Sequence, residues 1–312
     1  MSAFKGIAEK LLKKNRPNGK VVVGIDDLIG MRKYIKYFRS SKSKTSASLL
    51  SGDVKSVFKG RGIEFEEVRQ YAIGDDVRDM DWRVTARKSE PYIKVFLEER
   101  DREIYVLIDM SATMVFGTKN EFKSVFAAKT AAMLGWIALE NKDRFGCIIY
   151  DGSQSFVFKA KSGIKNLLAI FKKISSVSEN VLKNSAIGNL SKPLKLLENT
   201  LKTRGDVFVL SDFFNFDSAV RNAMFAVGKK SKSHILDISD VLEQNAPKAG
   251  EYLAQYENNK LTFNTYNKAF RDEYAAYFAE KKKKIKDFAS SSGSFYAALN
   301  NSSEIYRQLK LI

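Results

Sequence analysis

The chain has 312 residues, of which 44% are hydrophobic and 12% aromatic, so it can bury a sizeable core and wholesale disorder is not expected. Its formal net charge of +17 predicts attraction to nucleic acid, an anionic membrane surface or an acidic protein, and says nothing about fold. Cys147 stands alone, which excludes an internal disulfide and a thiolate metal cluster; within Phe145-Gly-Cys-Ile-Ile-Tyr150 it reads as a buried core thiol in a reducing compartment.

The charge is concentrated early: residues 1–60 carry 14 Lys and Arg against 4 Asp and Glu, a local +10. Phe4, Ile7, Leu11 and Leu12 predict a short amphipathic basic helix over residues 1–20, without the uninterrupted apolar run of a signal peptide. Val21–Ile25 reads as a strand. Leu28–Phe38 reads as a helix, with Tyr34, Ile35, Tyr37 and Phe38 interleaved with Arg32, Lys33 and Lys36, and Ser40–Ser48 as a polar loop. Residues 1–57 are expected to form a basic α+β extension, 58–103 a β-rich segment, and 104–312 an α/β domain with a C-terminal helical extension.

From residue 104 strands and helices alternate. Strands are predicted at Ile104–Asp109, Arg144–Tyr150, Ser155–Phe158, Val207–Leu210 and His234–Ile238, and helices at Asn120–Asn141, Gly163–Ser175, Leu190–Thr203 and Phe216–Val227. A hairpin over Gly250–Thr265, a long charged helix over Asn267–Ser290, a last strand at Ser294–Leu299 and a closing helix complete the series. Apolar strands alternating with helices predict a mostly parallel, doubly wound sheet covered on both faces. No stretch of about 18 residues is apolar enough to cross a membrane, and the expected location is the cytoplasm, peripheral at the inner membrane if the basic charge meets lipid.

In such sheets ligands gather where the strands end. Asp109, Asp212 and Asp237 each close a predicted strand. Asp109, Ser111 and Thr113 alternate, so in extended backbone their three oxygens point the same way, and Asp212 would arrive from a neighbouring strand. Oxygen donors from short side chains suit Mg²⁺, or Mn²⁺ in its place. The competing reading makes Asp109 a helix cap and Ser111 and Thr113 turn residues.

Upstream, Glu64-Phe65, Arg69, Tyr71, Gly74-Asp75-Asp76, Arg78, Asp81-Trp82 and Ala86-Arg87 stand in an order that resembles the signature of the bacterial domain-of-unknown-function family 58. The resemblance implies a von Willebrand factor A-like domain with a metal-ion-dependent adhesion site. Asp109-x-Ser111-x-Thr113 matches the first motif of that site and Asp212 its distal aspartate. It also implies a non-enzymatic protein-interaction role beside MoxR-type AAA+ ATPases in protein maturation or remodelling. One departure weakens the expected Mg²⁺ site: the loop threonine aligns with Gly188, and neither Ser185 nor Asn189 is a convincing substitute.

Two other function classes remain open. The net charge suits a nucleic-acid binder, yet no reading motif accompanies it. Asp75, Asp76, Asp79 and Asp81 could hold a two-metal hydrolytic centre, but their interleaving with Arg69, Arg78, Arg83 and Arg87 fits charge pairing and turn capping better. A phosphatase of the haloacid dehalogenase type would need an acid at 111, where Ser stands. No Walker-type phosphate loop is present, and the lone His234 reads as a strand residue.

Overall fold

The computed structural model describes residues 19–39, 59–97, 102–182, 186–256 and 259–310. The chain divides into two units, one of residues 1–50 with 102–312 and one of residues 51–101.

The first described segment belongs to the larger unit. Val21-Val-Val23 does not form the expected strand. Asp27 accepts the Gly24 N–H at 2.9 Å and opens helix α1 (Ile25–Gly30), which a 3₁₀ turn (Met31–Tyr34) joins to α2 (Lys36–Arg39). The apolar run buries by packing, since Val22, Val23 and Leu28 are enclosed and the Val23 N–H donates to Ser178 Oγ. The predicted helix at residues 1–20 lies outside the described residues, apart from its last two.

The smaller unit pairs β1 (Lys59–Gln70) antiparallel with β2 (Tyr92–Leu97), with helix α3 (Trp82–Lys88) between them. Gly74, at φ +107°, turns the chain where a side chain would be strained.

The larger unit is a six-stranded sheet, parallel except for one edge strand. Its strands are β3 (Glu103–Asp109), β4 (Arg144–Tyr150), β5 (Ser155–Lys161), β6 (Asp206–Ser211), β7 (Lys232–Ser239) and, beyond the separate hairpin of β8 (Glu251–Tyr256) and β9 (Asn259–Asn264), β10 (Phe295–Asn300). They lie in the order β10-β7-β6-β3-β4-β5, and the edge strand β5 is antiparallel to β4. Counted within the sheet this is the doubly wound order 3-2-1-4-5-6, the von Willebrand factor A-like topology.

Every residue of β3 is buried, and alternation divides them between two cores. Ile104, Val106 and Ile108 meet α4 (Lys123–Glu140) and α5 (Ile164–Val181) on one face. Tyr105 and Leu107 join α6 (Ser191–Thr200) and α7 (Ser218–Lys230) on the other, with Ile285 and Ala289 from later in the chain. Helix α4 is alanine-rich and buried almost all round, which lets it lie flat on the sheet. Its Trp136 Nε1–H donates to the Leu28 carbonyl at 3.0 Å, tying α1 down. A short helix α8 (Val241–Gln244) follows β7, α9 (Lys268–Ser292) precedes β10, and α10 (Ile305–Lys310) comes last. Among the described residues no helix is long and apolar enough to cross a membrane.

Candidate functional site

β3 and β6 are neighbours in space but begin crossovers in opposite directions, so the crevice beyond their carboxyl ends is the switch point of the sheet. Asp109 is the last residue of β3, and Asp212 directly follows β6. After Asp109 the chain runs through Met110 and Ser111 into a 3₁₀ turn at Ala112–Met114, which brings Thr113 round towards β6. Ser111 Oγ and Thr113 Oγ1 stand 3.3 Å apart, and Thr113 Oγ1 donates to Asp212 Oδ1 at 3.3 Å. The four side chains line a polar cavity with Tyr150, Gly188, Phe214 and Asn215. It holds about 10 Å³ of space, room for one water or monatomic ion.

Each carboxylate is held in place. The Ser111 N–H donates to Asp109 Oδ1 at 3.0 Å, and the Ser211 hydroxyl donates to Asp109 Oδ2 at 2.6 Å while accepting the Phe213 N–H. Asp212 receives the Phe214 N–H on Oδ1 and the Lys123 ammonium on Oδ2, 2.7 Å away. Lys123, only 1% exposed, also pairs with Glu243. Burial would lower the Lys123 pKa, but Asp212 and Glu243 together raise it above the usual lysine value. Burial likewise works against Asp212, yet the charges of Lys123 and Lys281 and the hydrogen bonds to Oδ1 and Oδ2 hold it below the usual carboxylate range.

Among the described residues Asp109 has no such counter-charge. Burial, and then repulsion from Asp212, push it up to about 6 despite its hydrogen bonds. Two buried carboxylates and two hydroxyls around a space of ionic size are a donor set that Mg²⁺ accepts. Octahedral bonds of about 2.1 Å place neighbouring oxygens roughly 3.0 Å apart, near the observed 3.3 Å separations. Among the described residues no three His, Cys, Asp or Glu side chains come together, so the site depends on its hydroxyls.

The missing loop threonine has a structural reason. Gly188 sits at φ +66°, and a Cβ there would lie 2.0 Å from Tyr150 Oη and 2.3 Å from the Gly152 carbonyl oxygen. The tyrosine hydroxyl fills that space, donating to Gly152 O and accepting the Asn189 N–H. Asn189 turns away, its Nδ2 on Asp217 and its Oδ1 on the Ser191 N–H. Ser185 lies outside the described residues.

Asp237 does not end its strand. β7 runs on to Ser239, and Asp237 lies in register with Ser211, accepting the Tyr296 hydroxyl at 2.9 Å. His234 is fully enclosed, its Nε2 2.8 Å from Asp206 Oδ1 and its ring stacked on Phe208.

In the signature segment the carboxylates serve a local ion pair and the local backbone. Asp75 takes both forks of Arg69, at 2.6 and 2.8 Å, and the Ala72 N–H. Asp76 accepts from the Arg78 N–H, and Asp81 caps α3 through the N–H groups of Arg83 and Val84, with Lys94 at 3.9 Å. Turn capping and charge pairing, as expected, are therefore the roles of Asp81 and Asp75; Arg87 lies in the exposed last turn of α3, and Trp82 is 66% exposed. The Glu64 side chain lies outside the described residues.

Lys123, Ser211 and Tyr150 were not legible as site residues. A lysine opening an alanine-rich helix of mostly apolar residues was the available signal, because a buried ammonium requires a carboxylate partner.

The sequence pattern of the family described as "Protein of unknown function DUF58" matches residues 67–284. Uncharacterized proteins of Mycobacterium bovis and Mycobacterium tuberculosis are each 27% identical over 228 residues, covering 73% of this chain and 71% of theirs. Among solved structures, the conserved hypothetical protein BatB from Bacteroides thetaiotaomicron is similar at TM-score 0.40 and 14% identity, covering 67% of this chain and 96% of its own. An aerotolerance-related membrane protein from Bacteroides fragilis, with multiple mutations to serines, gives 0.41 and 14%, covering 68% and 100%.

Proposed function

This chain belongs to the DUF58 family, and from that premise we propose that it is a metal-dependent docking module and not an enzyme. The observation that carries the reading is the convergence of Asp109, Ser111, Thr113 and Asp212 on an ion-sized cavity at the switch point, with no counter-charge for Asp109 among the described residues. These four residues would hold Mg²⁺, which when bound supplies an electrophilic anchor for a carboxylate oxygen of a partner protein. The chain's own residues prepare that anchor. Ser211 and the Ser111 N–H orient Asp109, and Lys123 fixes Asp212 with Oδ1 towards the cavity. The partner we propose, carried by the family resemblance, is a MoxR-type AAA+ ATPase, with maturation or remodelling of other proteins as the shared task.

Calorimetry with Mg²⁺ and Mn²⁺ tests the site, and immobilised chain presented with a purified MoxR-type ATPase, in Mg²⁺ and in EDTA, tests the partner. Saturable metal binding that Asp109→Ala abolishes, together with EDTA-sensitive capture, is expected. Equal metal affinity in wild type and variant would overturn the reading. A hydrolytic centre at residues 75–81 has little support, because Asp75, Asp76 and Asp81 already accept protein donors. The net charge of +17 keeps nucleic acid as the second reading. Sequence-dependent retention in a gel shift at about 150 mM salt would put it first.

A further inference from the structure

Part of the basic charge gathers beside the candidate site, on α9. Phe278, Lys282, Ile285 and Ala289 follow at steps of four, three and four, so they share one helix face. Ile285 and Ala289 are buried in the core, whereas Phe278, Lys281 and Lys282 are only partly covered, so this face emerges from the protein as it runs towards the helix N-terminus. Lys281 Nζ lies 5.7 Å from the ring centroids of both Phe214 and Phe278, and Lys282 Nζ lies 5.5 Å from Phe278. Phe214 is 53% exposed and also lines the Asp109–Asp212 cavity. Tyr277, on the same helix, is 72% exposed.

Two adjacent ammonium groups lie here with no carboxylate within 4 Å among the described residues, although the charges of Asp212 and Asp237 are felt nearby. Burial, and then the neighbouring Lys281, lower the Lys282 pKa in spite of the charges of Asp237 and Glu243. A rim of aromatic faces around unpaired lysines suits an anion carried beside an apolar group. The patch is too small for the row of phosphates that nucleic acid presents.

We propose that Phe214, Phe278, Lys281 and Lys282 form a docking surface for an acidic protein segment, one whose carboxylate is flanked by an aromatic or aliphatic side chain. This rests on the docking reading of the adjacent site and names the chemistry of the partner; the surface itself needs no metal.

The test is fluorescence anisotropy of a labelled random Glu–Tyr copolymer with the full chain at about 150 mM salt, in Mg²⁺ and in EDTA. Phe214→Ala combined with Lys281→Gln removes the ring and one charge. Phe225→Ala with Lys229→Gln is the matched control, since Lys229 Nζ lies 4.8 Å from the exposed Phe225 ring on α7. Thermal unfolding verifies that both variants fold. The site variant is expected to weaken binding about tenfold or more in both buffers, with the control within about twofold of wild type. Equal losses in the two variants, or a copolymer affinity no better than that for duplex DNA or phosphatidylserine vesicles, would overturn the proposal. Failure of the metal reading shows separately, as a wild-type affinity identical in Mg²⁺ and EDTA while the site variant remains weakened.

Discussion

Lys123→Met isolates the charge balance of the site. The methionine keeps most of the lysine stem's volume but leaves Asp212, 4% exposed, facing Asp109 without its ammonium partner, and leaves Glu243, 24% exposed, to find water. Removing one partner of a buried pair costs about 3–5 kcal/mol. Because Glu243 can hydrate, the lower end applies, near 3 kcal/mol. At about 2–4 °C per kcal/mol for a domain of this size, the unfolding midpoint should fall by roughly 6–12 °C at neutral pH. Lys123 has a raised folded pKa, so its stabilisation is complete below the ordinary lysine value and is lost only in strong alkali. Asp212 has a lowered folded pKa, so its share is present above the ordinary Asp value and fades as pH falls below it. The gap between wild type and variant should therefore narrow in acid. With Lys123 no longer fixing Asp212, Mg²⁺ should also raise the midpoint of the variant less than that of wild type. Saturation at a hundred times Kd is worth about 2.7 kcal/mol. Scanning calorimetry across pH, with and without Mg²⁺, measures all three effects. A variant within about 2 °C of wild type at pH 7, or a gap that stays constant into acid, would refute the reasoning.

Asp109→Asn should abolish Mn²⁺ binding in calorimetry without loss of fold. Because the folded pKa of Asp109 is raised to about 6, its ionisation costs stability that builds as pH rises from the ordinary Asp range through 6. The metal-free variant should therefore gain on wild type at pH 7.5 and match it near pH 4, as thermal melts at the two values will show. Gly188→Thr, which would restore the adhesion-site threonine, should destabilise the protein and leave metal affinity no higher, because φ +66° and the Tyr150 hydroxyl exclude a side chain. Chemical denaturation and calorimetry together check it. Asp81→Ala should cost about 0.5–2 kcal/mol, the range of a lost helix cap, and not the larger penalty of a broken buried ion pair. A loss above about 3 kcal/mol in urea melts would contradict the capping role.

Local chemistry carried most of the architecture. The uninterrupted apolar runs of β3, β4 and β6 could be satisfied only by burial on both faces, so their lengths and the mostly parallel sheet were legible from residue type and period. The same rule misread Val21–Val23, because a β-branched run looks alike whether it pairs with a strand or packs beneath a helix; the Asp27 cap decided for packing. Within the site, Asp109, Ser111 and Thr113 were legible because five consecutive residues bring them together. Asp212 became a candidate because it follows a strand, but its adjacency to Asp109 follows from β3 and β6 being paired, which strand order alone decides. Lys123 meets Asp212 across 89 residues of sequence, and Tyr150 denies Gly188 a side chain across 38 residues, since 188 − 150 = 38. No period or spacing encodes either contact. The chain alone determined which oxygens are candidates for holding a cation. Only the folded sheet decided which charges surround them, because electrostatic balance depends on distance in space and on burial, neither of which is a property of neighbours in sequence.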